Sequence, residues 1–231
     1  MSTPLDNPVW HALIGPHARF AIGHGQARHY PREVTPFSGI AEPTARAYAD
    51  LTLDLPPRTE ARLFRPTEEP TPTGWETVSA RPIVQMIYDR RDLPPSDALD
   101  ATITPLGPTD VPDMLALVEV ARPGPFASRT AELGAYVGVR HERTGELIAM
   151  GGERLRIDSY VELSAIAAHP NARGKGLGKT ITNHLVRVAI RRGETPFLHV
   201  FPDNPAFRLY ARLGFRERAR LWVLWRRPVA P

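Results

Sequence analysis

The sequence predicts an α/β (α+β) fold in its second half, preceded by a smaller α/β lobe. Three observations carry this. Two β-patterned runs, 135–140 and 147–156, flank the polar linker HERTGE and read as a hairpin. A strand at Tyr160–Ala168 runs into a glycine-rich turn and then a strongly amphipathic helix. A second helix and a closing strand at 220–226 complete the pattern.

The chain has 231 residues, enough to bury a real core in one large domain or two small ones. Hydrophobic residues at 42% and charged residues at 23% argue against a disordered or fibrous chain. There are no cysteines, which excludes disulfides, a thiolate nucleophile and thiolate-bound zinc or iron–sulfur, and fits a cytoplasmic location. The first residues lack a basic stretch followed by an apolar core, so no secretory leader is expected. No apolar run approaches ~18 residues, so no membrane span is expected.

The formal net charge is +4 and comes mainly from arginine. This balance suits a phosphate-rich cofactor or simply a solvated surface. Basic residues interleave with aromatics only at 218–227, which reads as a strand, so no specific nucleic-acid partner is expected.

A soft boundary falls near 96–100, dividing an N-terminal lobe at 1–99 from a domain at 100–231. In the first part, Ala61–Arg65 reads as a short strand, Trp75–Tyr88 as a strand broken at Pro82, and 44–53 as a short helix. Stretches 66–74 and 92–95 read as loops. His24 and His29 lie close together, but their spacing fits a turn better than a metal site, and no metal is expected.

In the second part, 101–105 reads as an opening strand. Thr109 then caps a helix through Ala121, with Val111, Met114, Leu115 and Val118 on one face. Along Tyr160–Ala168, Glu162, Ser164 and Ile166 share one face and Val161, Leu163, Ala165 and Ala167 the other. In the following helix, Ile181, Leu185, Val188 and Ala189 make an apolar stripe, with Arg191, Arg192 and Gly193 as its stop signal. A strand at 196–200 comes next. Asn204 and Pro205 then open a helix ending at Gly214.

The chemistry concentrates in Arg173-Gly174-Lys175-Gly176-Leu177-Gly178-Lys179. Three alternate glycines let the backbone turn tightly and approach a ligand. The helix that follows presents unpaired N–H groups and a positive dipole end, a ready site for a pyrophosphate. A P-loop would need glycine at position 173, where arginine stands. A dinucleotide fingerprint would need its third glycine one residue later than Gly178.

The run AIAAHPNARGKGLGKTI resembles the acetyl-CoA-binding motif of the GNAT N-acetyltransferase superfamily, with Asn171 where that motif usually has Gln or Arg. The later run DNPAFRLYARLGF resembles the same family's closing motif, with Phe207 at a usual alanine. The resemblance implies a mixed, mostly antiparallel central sheet flanked by helices. It also implies acetyl transfer from acetyl-CoA, as co-substrate, to a primary amine on a small molecule or peptide. Ile166, Ala167 and Ala168 would pair with the pantetheine arm, the N–H groups of Arg173 to Lys179 would hold the pyrophosphate, and Asn204 would contact the cofactor arm. Tyr210 would protonate the departing thiolate. Glu162 would be the base that prepares the amine, with Glu153 and His141 behind it. The N-terminal lobe would shape the acceptor site or be a degenerate copy of the same half. A non-catalytic acyl-CoA sensor and a P-loop-like nucleotide binder are the competing readings. Acyl chain length and oligomeric state are left open.

Overall fold

The computed structural model describes residues 3–56, 58–90 and 92–229. The chain opens with helix α1 (Pro8–Ile14), a ribbon of β1 (Ala27–His29) and β2 (Ser38–Ile40), and helix α2 (Ala45–Asp54). Strands β3 (Ala61–Arg65), β4 (Trp75–Tyr88) and β5 (Ile103–Leu106) lead to helix α3 (Val111–Ala121). Strands β6 (Tyr136–Arg140), β7 (Leu147–Ile157) and β8 (Tyr160–Ala168) follow, then α4 (Leu177–Arg191), β9 (Thr195–Val200), α5 (Ala206–Leu213) and β10 (Phe215–Pro228).

Eight strands form one sheet in the order β3-β10-β4-β9-β8-β7-β6-β5. The β8–β9 pair is parallel and the others are antiparallel. The mixed, mostly antiparallel sheet flanked by helices is therefore present. The sheet draws strands from both sides of the 96–100 linker, because β4 lies between β9 and β10.

Helices α4 and α5 cover one face. Leu177, Ile181 and Leu185 recur every fourth residue on α4 and pack with Val84, Met86, Leu163 and Leu198, joined by Val186; Ala189 is buried, whereas Val188 of the predicted stripe is only half-buried. Gly193, at φ +76°, follows the helix as predicted. On the other face, Val9, Leu13, Tyr30 and Val34 pack on Phe64, Ile83, Leu155 and Val223. Helix α3 covers Met150, Ala165 and Ala167. Helix α2, capped by Thr44 accepting from the Ala47 N–H at 3.2 Å, packs with Leu63 and Leu224.

Several predicted details are corrected. Pro82 does not break β4. It pairs opposite Trp222 of β10, outside the Val84–Ile87 stretch that bonds β9, so β4 runs through it without needing a second partner there. Residues 98–102 form a 3₁₀ turn and β5 starts at Ile103. Thr109 does not cap α3. Asp110 stands at the cap, inside a 3₁₀ turn closed by its own Oδ2 on the Gly107 N–H at 2.8 Å. The closing strand is twice as long as the 220–226 run suggests, because β3 and β4 pair along most of its length.

The face assignment of β8 also changes. Met150 pairs with Ala167 and Gly152 with Ser164, so Gly151 alone opposes Ala165 and Ile166. This is a bulge, with Ala165 at φ +53°. Leu163 packs towards α4, whereas Ala165 and Ala167 pack towards α3. Glu162 and Ile166 thus lie on opposite faces of the sheet.

Candidate active site

The parallel pairing of β8 and β9 covers only Tyr160, Val161 and Glu162 against Thr195, Pro196 and Phe197. Beyond Glu162 the two strands part. Residues 163–168 keep β7 on one side, and residues 198–200 keep β4 on theirs. Two edges thus face each other across an opening, and the bulge at Ala165 turns β8 away at that point. Ile166, Ala167 and Ala168 lie along the freed edge and line the cavity within the opening.

The turn after β8 stands at one mouth of this opening. Gly174 and Gly176 take φ +77° and +81°, and Gly176 caps α4. The space where a Cβ of Gly174 would stand is open, so its left-handed backbone is what demands glycine. The Arg173 N–H donates to Pro170 O at 3.3 Å. The first amide of α4 to bond back is Thr180, to Gly176 O at 3.0 Å. The N–H groups of Gly174, Lys175, Gly176, Leu177, Gly178 and Lys179 therefore have no acceptor among the described residues. Arg173 and Lys175 are exposed beside them, and Lys179 lies 3.5 Å from Asp97.

Asn204 precedes α5, its Oδ1 accepting from the Ala206 N–H at 2.9 Å, which leaves its amide nitrogen free. Tyr210 lies one turn into α5, buried against Phe215 and lining the cavity. Its hydroxyl has no hydrogen-bond partner among the described residues. Burial pushes the phenol up to about 12, so it holds its proton.

A polar line crosses the sheet where β8 and β9 part, with one residue from each of five adjacent strands. Arg218 of β10 donates to Gln85 Oε1 of β4. Gln85 Nε2 donates to Leu5 O at 2.9 Å and meets His199 Nε2 of β9 at 3.0 Å. These partners fix the amide's orientation and place the imidazole proton on Nδ1, which donates to Glu162 Oε1 of β8 at 2.7 Å. Arg154 of β7 holds the same carboxylate through two bonds, at 2.6 and 2.9 Å. Burial alone would raise the Glu162 pKa. The Arg154 charge and bonds, with His199, bring it down to about 2.

The cavity has a volume of about 1240 Å³ and reaches both faces of the sheet. Arg173, Gly174, Gly178, Asn204 and Tyr210 line it on the α4–α5 side. Phe37, Arg62, Phe64, Ile83, Val223 and Trp225 line it on the side covered by the first forty residues. Arg154 and His199 stand between, at the fork.

A GNAT-family protein from Novosphingobium aromaticivorans DSM 12444 shares 35% identity with this chain. The match covers 99% of this chain and all of that one, with a TM-score of 0.90. The chain belongs to the GNAT family. The FR47-like protein family matches residues 136–223. A GCN5-related N-acetyltransferase from Sphaerobacter thermophilus shares the fold at 17% identity and a TM-score of 0.55, over 89% of this chain and 78% of its own. A GNAT-family acetyltransferase from Colwellia psychrerythraea does so at 18% and 0.51, over 64% and 57%. No curated protein sequence matches the chain.

Of the residues singled out from the sequence of this GNAT protein, the structure brings 166–168, Arg173, Gly174, Gly178, Asn204 and Tyr210 to one cavity; Lys175, Gly176, Leu177 and Lys179 lie in the same turn outside its lining, and the Arg173 N–H is already spent on Pro170 O. Glu162 is buried beneath it, with both carboxylate oxygens bonded. Glu153 is bound by Arg156 and Arg192 away from the cavity, and His141 caps the exposed β6–β7 turn. His24 and His29 hold Asp54, at 2.7 Å to its carboxylate and 3.1 Å to its carbonyl. No helix among the described residues is long and apolar enough to cross a membrane.

Sequence reasoning missed Arg154, His199, Gln85 and Arg62. Two of them carried a readable signal. Arg154 and His199 are charged or titratable residues inside runs otherwise apolar enough to be buried, LIAMGGERLRI and TPFLHV. Such residues need a partner, and here they find each other's neighbour, Glu162.

Proposed function

We propose that this protein is an acyl-CoA-dependent N-acetyltransferase that moves an acetyl group from acetyl-CoA to a primary amine by direct attack. One observation carries the proposal. The parted strands β8 and β9 join a row of uncommitted amides on one face to an aromatic pocket on the other.

The residues present fit acetyl-CoA. The amides of 174–179, with Arg173 and Lys175, suit the pyrophosphate. The free edge at Ile166, Ala167 and Ala168 suits an arm that carries its own amides, as an added strand would. The Asn204 amide offers a further donor. When bound, acetyl-CoA supplies an acetyl group activated as a thioester; the amine's N–C bond forms as one N–H bond breaks, the C–S bond breaks, the thiol leaves with a proton, and the proton lost from nitrogen passes through solvent to restore the donor. Tyr210 holds a proton at Oη in the cavity wall and is the donor for that step.

Glu162 acts by position. A carboxylate held near pKa 2 is a weak base, and both its oxygens are engaged. It fixes Arg154 and His199 at the fork. Deprotonation of the amine is favoured instead by the cationic lining, which raises the cost of an ammonium there.

The test is calorimetric titration with acetyl-CoA of the wild type and of Gly178→Glu, followed by an amine screen that reads thiol release. Gly178 sits in the first turn of α4, and a Cβ there meets only Leu209 at 3.8 Å. An acid at that position suits the helix dipole, so folding is preserved. Repulsion of the pyrophosphate should weaken binding on the order of 100-fold. A wild type that ignores acetyl-CoA overturns the proposal. Tight binding without turnover of any amine favours the sensor.

A further inference from the structure

Five arginines line the cavity, namely Arg62, Arg81, Arg122, Arg154 and Arg173, and among the described residues no aspartate or glutamate does. Four have an evident place. Arg173 stands at the glycine-rich turn, and Arg154 spends two nitrogens on Glu162. Arg81 pairs with Asp203 at 3.3 Å, and Arg122 lies exposed at the end of α3.

Arg62 is different. Its side chain forms no hydrogen bond or ion pair among the described residues, and its Nε is shielded from solvent without a partner. Glu60 and Arg32 act on its charge at a distance, with opposite signs, and burial pulls its pKa below the usual value. The guanidinium lies 3.9 Å over the Trp225 ring, opposite it in register, and its backbone bridges to Phe37. A guanidinium held over a ring keeps its N–H donors available, and Arg62 lines the cavity. A half-buried guanidinium without an acceptor is costly unless a ligand supplies one.

The surroundings say what kind of ligand this is. Phe64 lies two residues along β3 from Arg62, and Val223 lies two residues along β10 from Trp225, so all four share one face with Ile83. The wall is apolar except for Arg62, Ser79 and Arg81, and Arg81 is already paired with Asp203. A simple ammonium entering here would meet only positive charge. We infer that the acceptor is a primary amine bearing a carboxylate, which Arg62 takes through its fork of N–H donors while Phe37, Phe64, Ile83 and Val223 hold the acceptor's apolar body. This rests on the N-acetyltransferase reading and deepens it. The first forty residues, which bring Phe37 to Arg62, thereby shape acceptor choice.

The experiment measures binding of paired acceptors by calorimetry with coenzyme A present: glycine, leucine, phenylalanine and glutamate, each beside its amide. Acid and amide differ at the carboxylate and share the amine and body. The wild type should bind at least one acid about tenfold or more tightly than its amide, the worth of a charge-assisted hydrogen bond. Arg62→Gln should remove that preference and leave acetyl-CoA affinity unchanged. Arg62→Lys should keep part of it, since charge survives but the fork does not. Equal binding of acids and amides by the wild type, or no binding of any acid, overturns the inference without needing a variant. So does a well-folded Arg62→Gln protein that still prefers the acids. A protein that binds the acids but ignores acetyl-CoA keeps the carboxylate site at Arg62 and loses the transferase reading, and with it the acceptor role.

Discussion

Tyr210 combines three properties that a proton donor needs. It lines the cavity, its hydroxyl is unclaimed among the described residues, and burial pushes it up to about 12 so that the proton stays on at any working pH. Tyr210→Phe removes one oxygen that no group among the described residues uses. Stability and acetyl-CoA affinity should therefore stay level while kcat falls on the order of 100-fold, read by thiol release and calorimetry. The acid limb of the kcat/KM profile should follow the pKa of the amine, since Glu162, near 2, titrates far below it. His17 governs a different pH response. It is buried with Nδ1 2.8 Å from the Tyr30 hydroxyl, and burial first, then Arg156 and Arg19, lowers its pKa from 6.5 to about 4. Its folded pKa is below the unfolded one, so the unfolded chain binds the extra proton between these values. The stability it confers is complete above pH 6.5 and is lost as pH falls towards 4, a loss of about 3 kcal/mol. Urea midpoints between pH 7 and 4.5 should fall less steeply for His17→Gln than for the wild type. The half-buried His184 is also lowered, first by burial and then by Arg187, and it is common to both proteins.

At the scale of the element, β8 decides the geometry. Its bounds were legible, Tyr160–Ala168 in both sequence and structure, because alternation and the following glycines mark them. Its bulge was not. Ala165 carries no turn signal, and its φ of +53° is imposed by β7, which offers Gly151 opposite two residues of β8. Gly151 must be glycine there, since a Cβ would stand 2.6 Å from Ile181 Cγ2. The glycine-rich turn was legible for the opposite reason: its pattern is local, written in consecutive residues. The polar line from Arg218 to Arg154 draws one residue from each of five strands, and no spacing rule connects them. The bulge makes a prediction of its own. Ala165→Gly eases the left-handed backbone and gives up one buried methyl, so stability should change by less than about 1 kcal/mol. Ala165→Val forces a β-branched residue into that conformation and should cost roughly 2–3 kcal/mol in denaturant unfolding. It should also weaken acetyl-CoA binding, because straightening β8 narrows the gap to β9.

Across the whole molecule, the first ninety residues are bound into the sheet by contacts that the sequence does not announce. The partners of β3 and β4 lie in β9 and β10, more than a hundred positions away, so local pattern identifies two strands and says nothing of their place. The consequence is physical. Strand β4 is the shared neighbour of β9 and β10, and α1 with Tyr30, Val34 and Phe37 covers Phe197, Leu221 and Val223. Gln85 is the link that satisfies both Arg218 and His199 at the fork. Removing residues 1–99 would leave β9 and β10 without their common partner, expose that apolar face, and strand a charged arginine and a buried histidine. A fragment of 100–231 should therefore aggregate or remain loosely packed, binding a hydrophobic dye and showing no cooperative thermal transition. A monomeric fragment that unfolds cooperatively would show that the second half holds its core alone. Adding 1–99 as a separate chain should restore the transition only if β4 can enter between two preformed strands. Recovery over minutes would reveal how much of the folding barrier lies in placing that one central strand.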